Sequence, residues 1–276
     1  MYHKEMNKSI IDELINKYIL YETIFLEVVV NQGSTEQYIL DEKSKHRTLC
    51  FPLLDAENHS TILSTSKTLE MLGASAILVG GSSVYDQIEL FQLVNKLKKG
   101  LKIPIILFPG NVTGIVSNAD AVLFTSLLNS ENSYYITGAQ AQGALIVNKY
   151  NLEAIPTGYI IVGDNTTAWF VGQARSIPFN KYEIALMYAL AAQYMGMRFL
   201  YLEAGSGASN HIKPQMISLV RKFYKGIILV GGGINSPETA KEISDSGADI
   251  IVVGTMLEKN ERWEDVFLQI INSIHK

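Results

Sequence analysis

The sequence contains little that would mark a secreted or membrane-embedded protein. Among 276 residues there is a single cysteine, Cys50, so an internal disulfide is excluded and a reducing compartment is indicated. Its apolar neighbours predict that Cys50 is a core residue. No apolar run approaches the ~18 residues that a membrane span needs, and residues 1–18 lack the apolar core of a signal peptide. We therefore expect a cytoplasmic protein without a transmembrane segment.

Basic residues are also too few and too scattered to form a surface for nucleic acid. Lys and Arg number 23 against 27 Asp and Glu, which gives a net charge of −4 and a pI near 5.8. Such a chain has no electrostatic footprint for DNA or RNA, and we expect no nucleic-acid partner. Any phosphate that it binds should belong to a small molecule.

Two glycine-rich segments near the end of the chain provide the first positive signal. Gly231–Gly233 follows an apolar run at Ile227–Val230, and Gly254 with Thr255 follows a second run at Ile250–Val253. Glycine turns after the last two strands of a barrel form a phosphate cradle, because backbone N–H groups can approach an anion closely there. The alternative is that the three glycines only make a tight strand-to-helix turn.

Apolar strands alternate with helices over residues 49–276, and this predicts one (β/α)8 barrel. An open doubly wound sheet would need a GxGxxG turn after the first strand, where the chain has Asp55-Ala56-Glu57. Residues 1–48 are predicted to be an extension packed on the barrel, with a helix at Ser9–Tyr21 and a surface connection at Val28–Arg47. The predicted strands are Leu49–Leu54, Ala76–Val79, Ile103–Phe108, Ala121–Thr125, Tyr159–Val162, Arg198–Leu202, Ile227–Val230 and Ile250–Val253.

The expected helices differ in how clearly the sequence defines them. Gly110–Asn118 is too short and too rich in Gly, Asn and Thr for a helix, so the third helix of the barrel should be degraded. Ser236 is a predicted N-cap with Pro237 behind it, and Asn180 with Glu183 is a predicted capping box. The buried faces are predicted to contain Ile88, Phe91 and Val94 in the helix Asp86–Lys99, and Ile184, Tyr188, Ala191 and Met195 in the helix after Asn180.

Three predicted strand ends carry polar side chains that a core would not choose. Asp55 could bind Mg²⁺, which favours one or two carboxylates together with phosphate oxygens; it could instead be a helix N-cap. Ser82 could contribute an oxygen to the same ion, or be an ordinary turn serine. Glu203 precedes a loop of small residues and could act as a general base, the alternative being a solvated surface residue.

Several motifs together resemble the geranylgeranylglyceryl phosphate synthase family of archaea and its bacterial heptaprenylglyceryl phosphate relatives. They are, in order, LLDAEN, VGGSS, YLEAGSGA, LVGGGINSPETA and ADIIVVGT, and the resemblance covers the chain from Leu49 onward. PTGYIIVG and VGQARSIP resemble the longer-chain subgroup. Leu53 stands where the bacterial relatives have lysine, which argues against the heptaprenyl branch. Asp55-Ala56 replaces the usual Asp-Pro of the family.

The resemblance implies a Mg²⁺-dependent prenyltransferase. The 3-hydroxyl of sn-glycerol 1-phosphate would attack geranylgeranyl diphosphate to form the first ether bond of archaeal membrane lipids. It further implies a homo-oligomer, a dimer or hexamer. Transient contact with a membrane is a separate expectation. Glu203 and Tyr201 would be catalytic, and Asp55 and Ser82 would be the metal ligands. The implied glycerol phosphate site consists of Tyr201, Leu202, Glu203, Ala204, Gly205, Ser206, Gly207, Ala208, Gly232, Gly233, Gly254 and Thr255.

Other barrel enzymes remain alternatives at this point. An isomerase, a lyase or an FMN oxidoreductase could use the same glycine cradle, and a barrel kept only as an assembly scaffold would need no chemistry. A Schiff-base enzyme is disfavoured because no predicted strand end carries a lysine. The apolar trough that a 20-carbon tail needs has Tyr134, Tyr135 and Tyr159 as candidates.

Overall fold

The computed structural model describes residues 32–55, 61–81 and 86–275. By its internal contacts the chain divides into a unit Met1–Ser34 and a unit Thr35–Lys276. The predicted helix Ser9–Tyr21 lies outside the described residues, as does Ser82. The division of the chain at residue 48 stays a prediction. Every helix in the described ranges is too short or too polar to cross a bilayer.

Eight parallel strands close into a barrel in which β8 pairs with β1, so the predicted (β/α)8 fold is confirmed. Strand β5 begins at Glu153, six residues before its predicted start. The prediction missed the first part of the strand because Pro156 lies within it and breaks the pattern expected of a strand. The strands are β1 (Leu49–Asp55), β2 (Ile77–Gly81), β3 (Ile105–Pro109), β4 (Ala121–Leu127), β5 (Glu153–Ile161), β6 (Phe199–Glu203), β7 (Ile227–Gly231) and β8 (Ile250–Val253).

The helices surround this barrel. They are, numbered within the described part of the chain, α1 (Ser34–Lys45), α2 (Ile62–Met71), α3 (Gln87–Gly100), α4 (Ala139–Tyr150), α5 (Thr167–Val171), α6 (Tyr182–Tyr194), α7 (Pro214–Phe223), α8 (Pro237–Asp245), α9 (Thr255–Lys259) and α10 (Trp263–Ile274). The predicted N-cap of α8 is confirmed, since Ser236 Oγ accepts the Thr239 N–H at 3.2 Å.

The connection between β3 and β4 contains only a 3₁₀ turn, Val112–Gly114, where a regular barrel has an α-helix. Asn111 caps this turn by accepting the Thr113 N–H at 2.8 Å. The prediction of a degraded third helix is therefore confirmed. As a result, no α-helix from this connection covers the outward face of β4.

Alternating side chains of the strands form two separate cores. The inner core fills the barrel with Leu49, Phe51, Leu78 and other aliphatic and aromatic residues. The outer core lies between the strands and the helices, and it includes Cys50, which is fully buried as predicted. Burial raises the pKa of the Cys50 thiol far above its ordinary value, so the thiol is inert at neutral pH.

Helix α1 corrects the prediction of a surface connection over Val28–Arg47. Its first N–H groups, those of Thr35 and Glu36, donate to the Glu153 carboxylate at 2.8 and 2.7 Å. Ile39 of α1 is fully buried within the inner core. The prediction failed because the cap comes from Glu153, 118 residues away from Thr35, and local sequence carries no sign of it.

An ion pair strengthens the same junction. Glu36 is only 1% exposed, and both of its oxygens accept hydrogen bonds of 2.7 Å from Arg198 at the start of β6. A bidentate pair of this kind fixes both partners in one geometry. Because Glu153 and Arg198 lie at the N-terminal ends of their strands, α1 packs at the end of the barrel opposite to the carboxyl ends.

The predicted buried faces of α3 and α6 were partly wrong. In α3, Ile88 and Phe91 are 69% and 42% exposed, and the core side is formed by Leu90, Leu93, Val94 and Leu97. In α6 the core side is formed by Ala185, Ala189 and Ala192, and the N-cap position belongs to Lys181 instead of Asn180.

Close packing explains the face that α6 presents to the barrel. A Cβ added to Gly158 of β5 would lie 3.0 Å from Ala192 Cβ, so only small side chains fit between helix and strand. Ile184 and Met195, which the hydrophobic pattern assigned to the core, are therefore exposed, whereas Tyr188 is partly buried and packs against the outer core as predicted.

The Glu153 cap gives a test of how α1 is held against the barrel. Glu153→Ala removes the acceptor of two α1 N–H groups, and we expect the free energy of unfolding to fall by about 2 kcal/mol. Urea unfolding followed by circular dichroism measures this change. Glu131→Ala, at an exposed loop residue, is the control and should shift it by less than about 0.5 kcal/mol. Equal stability of the two variants would contradict the assigned role of Glu153.

Candidate functional site

A large cavity opens at the carboxyl ends of the barrel strands. Its volume is about 1080 Å³, at the upper end of the ~300–1,000 Å³ typical of ligand pockets. Asp55 at the end of β1 and Glu203 at the end of β6 both line it, together with Gly254 after β8. The acidic strand ends and the glycine turns identified in the sequence thus share one opening.

Glu203 is the most constrained polar residue of the cavity. Its side chain is buried, yet its carboxylate accepts the Gly205 N–H at 2.6 Å and a hydrogen bond from the Tyr201 hydroxyl. Burial raises the pKa of Glu203 above its ordinary value, and the two hydrogen bonds only partly oppose this. A carboxylate with a raised pKa is a stronger proton acceptor, which suits a general base.

The turn after β7 fits against Glu203 with no space to spare. Gly232 and Gly233 have φ values of +82° and +71°, a conformation that favours glycine. A Cβ on Gly232 would lie 2.6 Å from the Gly205 nitrogen and 2.8 Å from Glu203 Oε1. Both glycines line the cavity. Their backbone can therefore approach a ligand closely, as a phosphate cradle requires.

Two hydroxyl groups join the rims that follow β6 and β8. Ser206 Oγ lies 2.9 Å from Thr255 Oγ1, which also accepts the Gly207 N–H at 3.1 Å. Ser206, Gly207, Ala208 and Thr255 all line the cavity. The loops after β6 and β8 thus form one continuous wall.

Three residues of the predicted glycerol phosphate site do not belong to the described cavity lining. Leu202 and Ala204 are buried in the outer core, on the side of the helices. Gly205 has a φ of +104° and packs on Thr166, whose Cγ2 would lie 2.2 Å from an added Cβ. These positions shape the loop backbone, while Tyr201 and Glu203 of the same segment line the cavity.

Of the two predicted metal ligands, Asp55 lies within the described residues and Ser82 does not. Asp55 is half-buried, faces the cavity and lies beside Gly80 of β2 in the barrel register. Ser82 lies outside the described residues. Within the described ranges, no group of three or more His, Cys, Asp or Glu side chains is arranged to hold a metal ion.

Sequence reasoning missed a charged rim formed by α9 and the segment that joins it to α10. Glu258, Glu261 and Arg262 line the cavity, and Arg262 also pairs with Asp265 at 2.8 Å. Arg262 is the sole basic side chain in the described lining, which otherwise carries the carboxylates of Asp55, Glu203, Glu258 and Glu261. These residues follow a strand end by several positions, so the strand-end pattern could not identify them.

The cavity also contains an apolar trough beside β4, where the connection from β3 has no α-helix. It contains Tyr134, Tyr135 and Tyr159, as the sequence suggested. Gly143 of α4 allows close packing, because a Cβ there would lie 3.1 Å from Ile115 Cδ1. Sequence reasoning missed the other apolar residues of the trough, although the degraded third helix was a signal that could have located them. These residues are Phe108, Val112, Ile115, Val122, Leu123, Phe124, Leu127 and Val171.

A known protein family matches nearly the whole of the described barrel in sequence. The model of the PcrB family matches residues 42–274. The chain is 56% identical over 229 residues to the geranylgeranylglyceryl phosphate synthase of Nitrosopumilus maritimus, covering 82% of this chain and 92% of that protein. It is 53% identical over 228 residues to the enzyme of the same name from Cenarchaeum symbiosum, with the same coverage.

Solved structures agree with this relationship. The (S)-3-O-geranylgeranylglyceryl phosphate synthase of Thermoplasma acidophilum, solved in complex with its substrate sn-glycerol-1-phosphate, is similar with a TM-score of 0.84 and 33% identity. The match covers 88% of this chain and 99% of that one. Thiamine phosphate pyrophosphorylase from Pyrococcus furiosus, at 14% identity and a TM-score of 0.56 over 83% of this chain and 96% of that one, shares the fold alone.

The buried carboxylate of Glu203 should make stability depend on pH. Its folded-state pKa is raised, so ionisation within the fold costs free energy, and this cost appears as pH rises above the ordinary value of 4.5. Glu203→Gln cannot ionise. We expect the melting temperature of Glu203→Gln, relative to wild type, to increase as pH rises from about 4.5 to 8. Calorimetry measures the difference, and a difference that stays constant with pH would contradict the raised pKa.

Proposed function

Because this chain belongs to the PcrB family, we propose that it is a prenyltransferase that makes geranylgeranylglyceryl phosphate from sn-glycerol 1-phosphate and geranylgeranyl diphosphate. The observation that carries the proposal is the joining, in one cavity, of a buried carboxylate, a glycine cradle and an apolar trough. An isomerase or a flavin enzyme would not need the trough. The combination fits one small phosphorylated molecule and one long apolar tail.

The cradle is the proposed site of the glycerol phosphate. Gly232, Gly233 and Gly254 expose backbone to the cavity, and the hydroxyls of Ser206 and Thr255 face it from the joined loops. The relative from Thermoplasma acidophilum was solved with sn-glycerol-1-phosphate, which supports the same ligand here. In this position the glycerol end would lie beside Glu203, since Gly232 packs directly against that carboxylate.

The proposed reaction is a displacement at the first carbon of the prenyl diphosphate. The 3-hydroxyl oxygen of the glycerol phosphate forms a bond to this carbon, and the bond to the diphosphate oxygen breaks with its electron pair. Glu203 accepts the hydroxyl proton, a contribution of typically ~10²- to 10⁴-fold in rate. Tyr201 holds the Glu203 carboxylate through its hydroxyl, so the acceptor oxygen is already oriented when the substrate binds.

The residues present fit a Mg²⁺ ion. Both proposed substrates are anions. The described cavity lining nevertheless carries four carboxylates, those of Asp55, Glu203, Glu258 and Glu261, and Arg262 is its one basic side chain. Such a site needs added positive charge, and oxygen donors suit Mg²⁺, which binds through few protein carboxylates plus substrate phosphates. Asp55 and Ser82 would hold the ion. When bound, it would neutralise the departing diphosphate as a Lewis acid.

The apolar trough is the proposed site of the prenyl tail. Its walls come from β4, from the 3₁₀ turn that replaces the third helix, and from α5, with Ile115, Phe124 and Val171 among its apolar residues. Burial of a 20-carbon chain removes a large apolar area from water and supplies most of the binding free energy for the donor. The length of chain accepted then depends on the side chains that close the far end.

We also propose that the protein acts in the cytoplasm as a homo-oligomer, a dimer or a hexamer, that contacts membranes transiently. The outer face of α6 supports an assembly, because Met187, Tyr194 and Met195 are 67%, 80% and 60% exposed. Exposed apolar faces of this kind commonly mark contacts between proteins. Light scattering on wild type and Met187→Lys tests the proposal, and a monomeric wild type would contradict it.

Activity provides the direct test of the proposed reaction. The purified protein is incubated with Mg²⁺, labelled glycerol 1-phosphate of each enantiomer, and prenyl diphosphates of several lengths. We expect transfer to sn-glycerol 1-phosphate that is lost when EDTA removes the metal. Glu203→Gln should lower kcat by about 10²- to 10⁴-fold, because the proton acceptor is gone.

The matched control is Glu264→Gln, at an exposed position on α10 that does not line the described cavity. It should retain wild-type kcat. Asp55→Asn should need more Mg²⁺ for half-maximal rate, since one ligand charge is lost. Failure of the wild type with every donor, or full activity in Glu203→Gln, would refute the proposed function.

A further inference from the structure

Three aromatic side chains form a cluster at the floor of the cavity. Phe108 comes from β3, Tyr159 from β5 and Tyr201 from β6, and all three line the cavity. Their ring centroids lie 5.6 Å (Phe108 to Tyr159), 5.4 Å (Phe108 to Tyr201) and 5.2 Å (Tyr159 to Tyr201) apart. Each ring therefore contacts the other two, and all three contribute to one wall of the cavity.

The cluster lies next to the proposed proton acceptor. Tyr201 donates its hydroxyl to the Glu203 carboxylate, and the nearby Glu203 carboxylate also contributes to the raised pKa of Tyr159. Burial raises the pKa of both phenols well above 10, so both rings stay neutral at the pH of an enzyme assay. The floor beneath the reacting groups is thus an uncharged aromatic surface.

We propose that the rings of Phe108, Tyr159 and Tyr201 stabilise positive charge on the allylic end of the prenyl group while its diphosphate departs. The inference rests on the proposed prenyl transfer. In that step the carbon–oxygen bond to the diphosphate breaks, the electron pair leaves with the diphosphate, and the glycerol oxygen forms the new bond. The hydroxyl proton passes to Glu203. If bond breaking runs ahead of bond formation, the allylic carbon carries partial positive charge.

The physical basis is the negative π-face of an aromatic ring. A cation near such a face is attracted by the quadrupole of the ring, and the attraction is stronger when water is excluded. Phe108 has no polar group, so it cannot act through a hydrogen bond, and it packs beside the two tyrosines at the point where the trough meets the site. Aliphatic side chains could fill this space equally well, but they have no quadrupole to stabilise charge.

Fluorinated phenylalanines at position 108 test the inference, because fluorine weakens the π-face while it changes the shape of the ring very little. Phe108 is replaced in the whole chain by its 4-fluoro, 3,5-difluoro and 3,4,5-trifluoro analogues. We expect log kcat to fall steadily along the series, with a total loss of about 10- to 30-fold for the trifluoro ring. The KM for both substrates should stay close to that of wild type.

Phe199 provides the matched control for this series. It lies on β6, is fully buried in the inner core, and does not belong to the described cavity lining. The same fluorinated series at Phe199 should leave kcat unchanged. A flat kcat across the Phe108 series, or equal losses at Phe108 and Phe199, would overturn the proposed electronic role.

A substrate analogue tests whether positive charge develops on the allylic carbon at all. A donor with fluorine at the carbon next to the reacting one forms an allylic cation less readily, so wild type should react with it more slowly than with the unsubstituted donor. Equal wild-type rates with both donors would overturn the proposal, because no cation would then develop. A wild-type protein that transfers no prenyl group would instead refute the proposed function itself.

Discussion

The carboxylate of Glu203, buried at the end of β6 between two hydrogen-bond donors, is the constraint on which the site depends. A buried charge is tolerated only where donors surround it, and here they are the Tyr201 hydroxyl and the Gly205 N–H. Gly205 reaches this position through a left-handed turn, and Gly232 must lack a Cβ because the turn lies against the carboxylate. The glycines that form the anion cradle therefore also make room for the Glu203 carboxylate, so the cradle and the acid depend on the same packing.

The missing third helix complements this arrangement. A regular barrel has an α-helix after every strand, whereas the connection between β3 and β4 has only the 3₁₀ turn Val112–Gly114, so it places no α-helix beside the outward face of β4. Val122 and Phe124 on that face line the same cavity as Leu123 and Thr125, their neighbours along the strand. One strand thus contributes residues from both of its faces to the cavity, and the compact phosphate end continues into a long apolar trough.

Much of this could be predicted from the sequence, because strand ends and glycine turns are local signals. Asp55, Glu203 and the glycines after β7 and β8 were identified from spacing alone, and the structure lines one cavity with them. Features that depend on distant partners could not be found in this way. Helix α1 is capped by Glu153 from far along the chain, and the buried face of α6 is set by the closeness of Gly158. Glu258, Glu261 and Arg262 lie several positions beyond the end of β8, so the strand-end pattern did not identify them.

The position of α1 separates the contacts that stabilise the fold from the residues of the proposed reaction. The Glu36–Arg198 pair and the Glu153 cap hold the barrel at one end, while the reacting groups occupy the other. Residues at the closed end can therefore change under selection for heat or cold tolerance without disturbing the chemistry. Lineages of this architecture can adapt to a new growth temperature by evolving the base of the barrel, and the mouth remains under separate selection for its substrates.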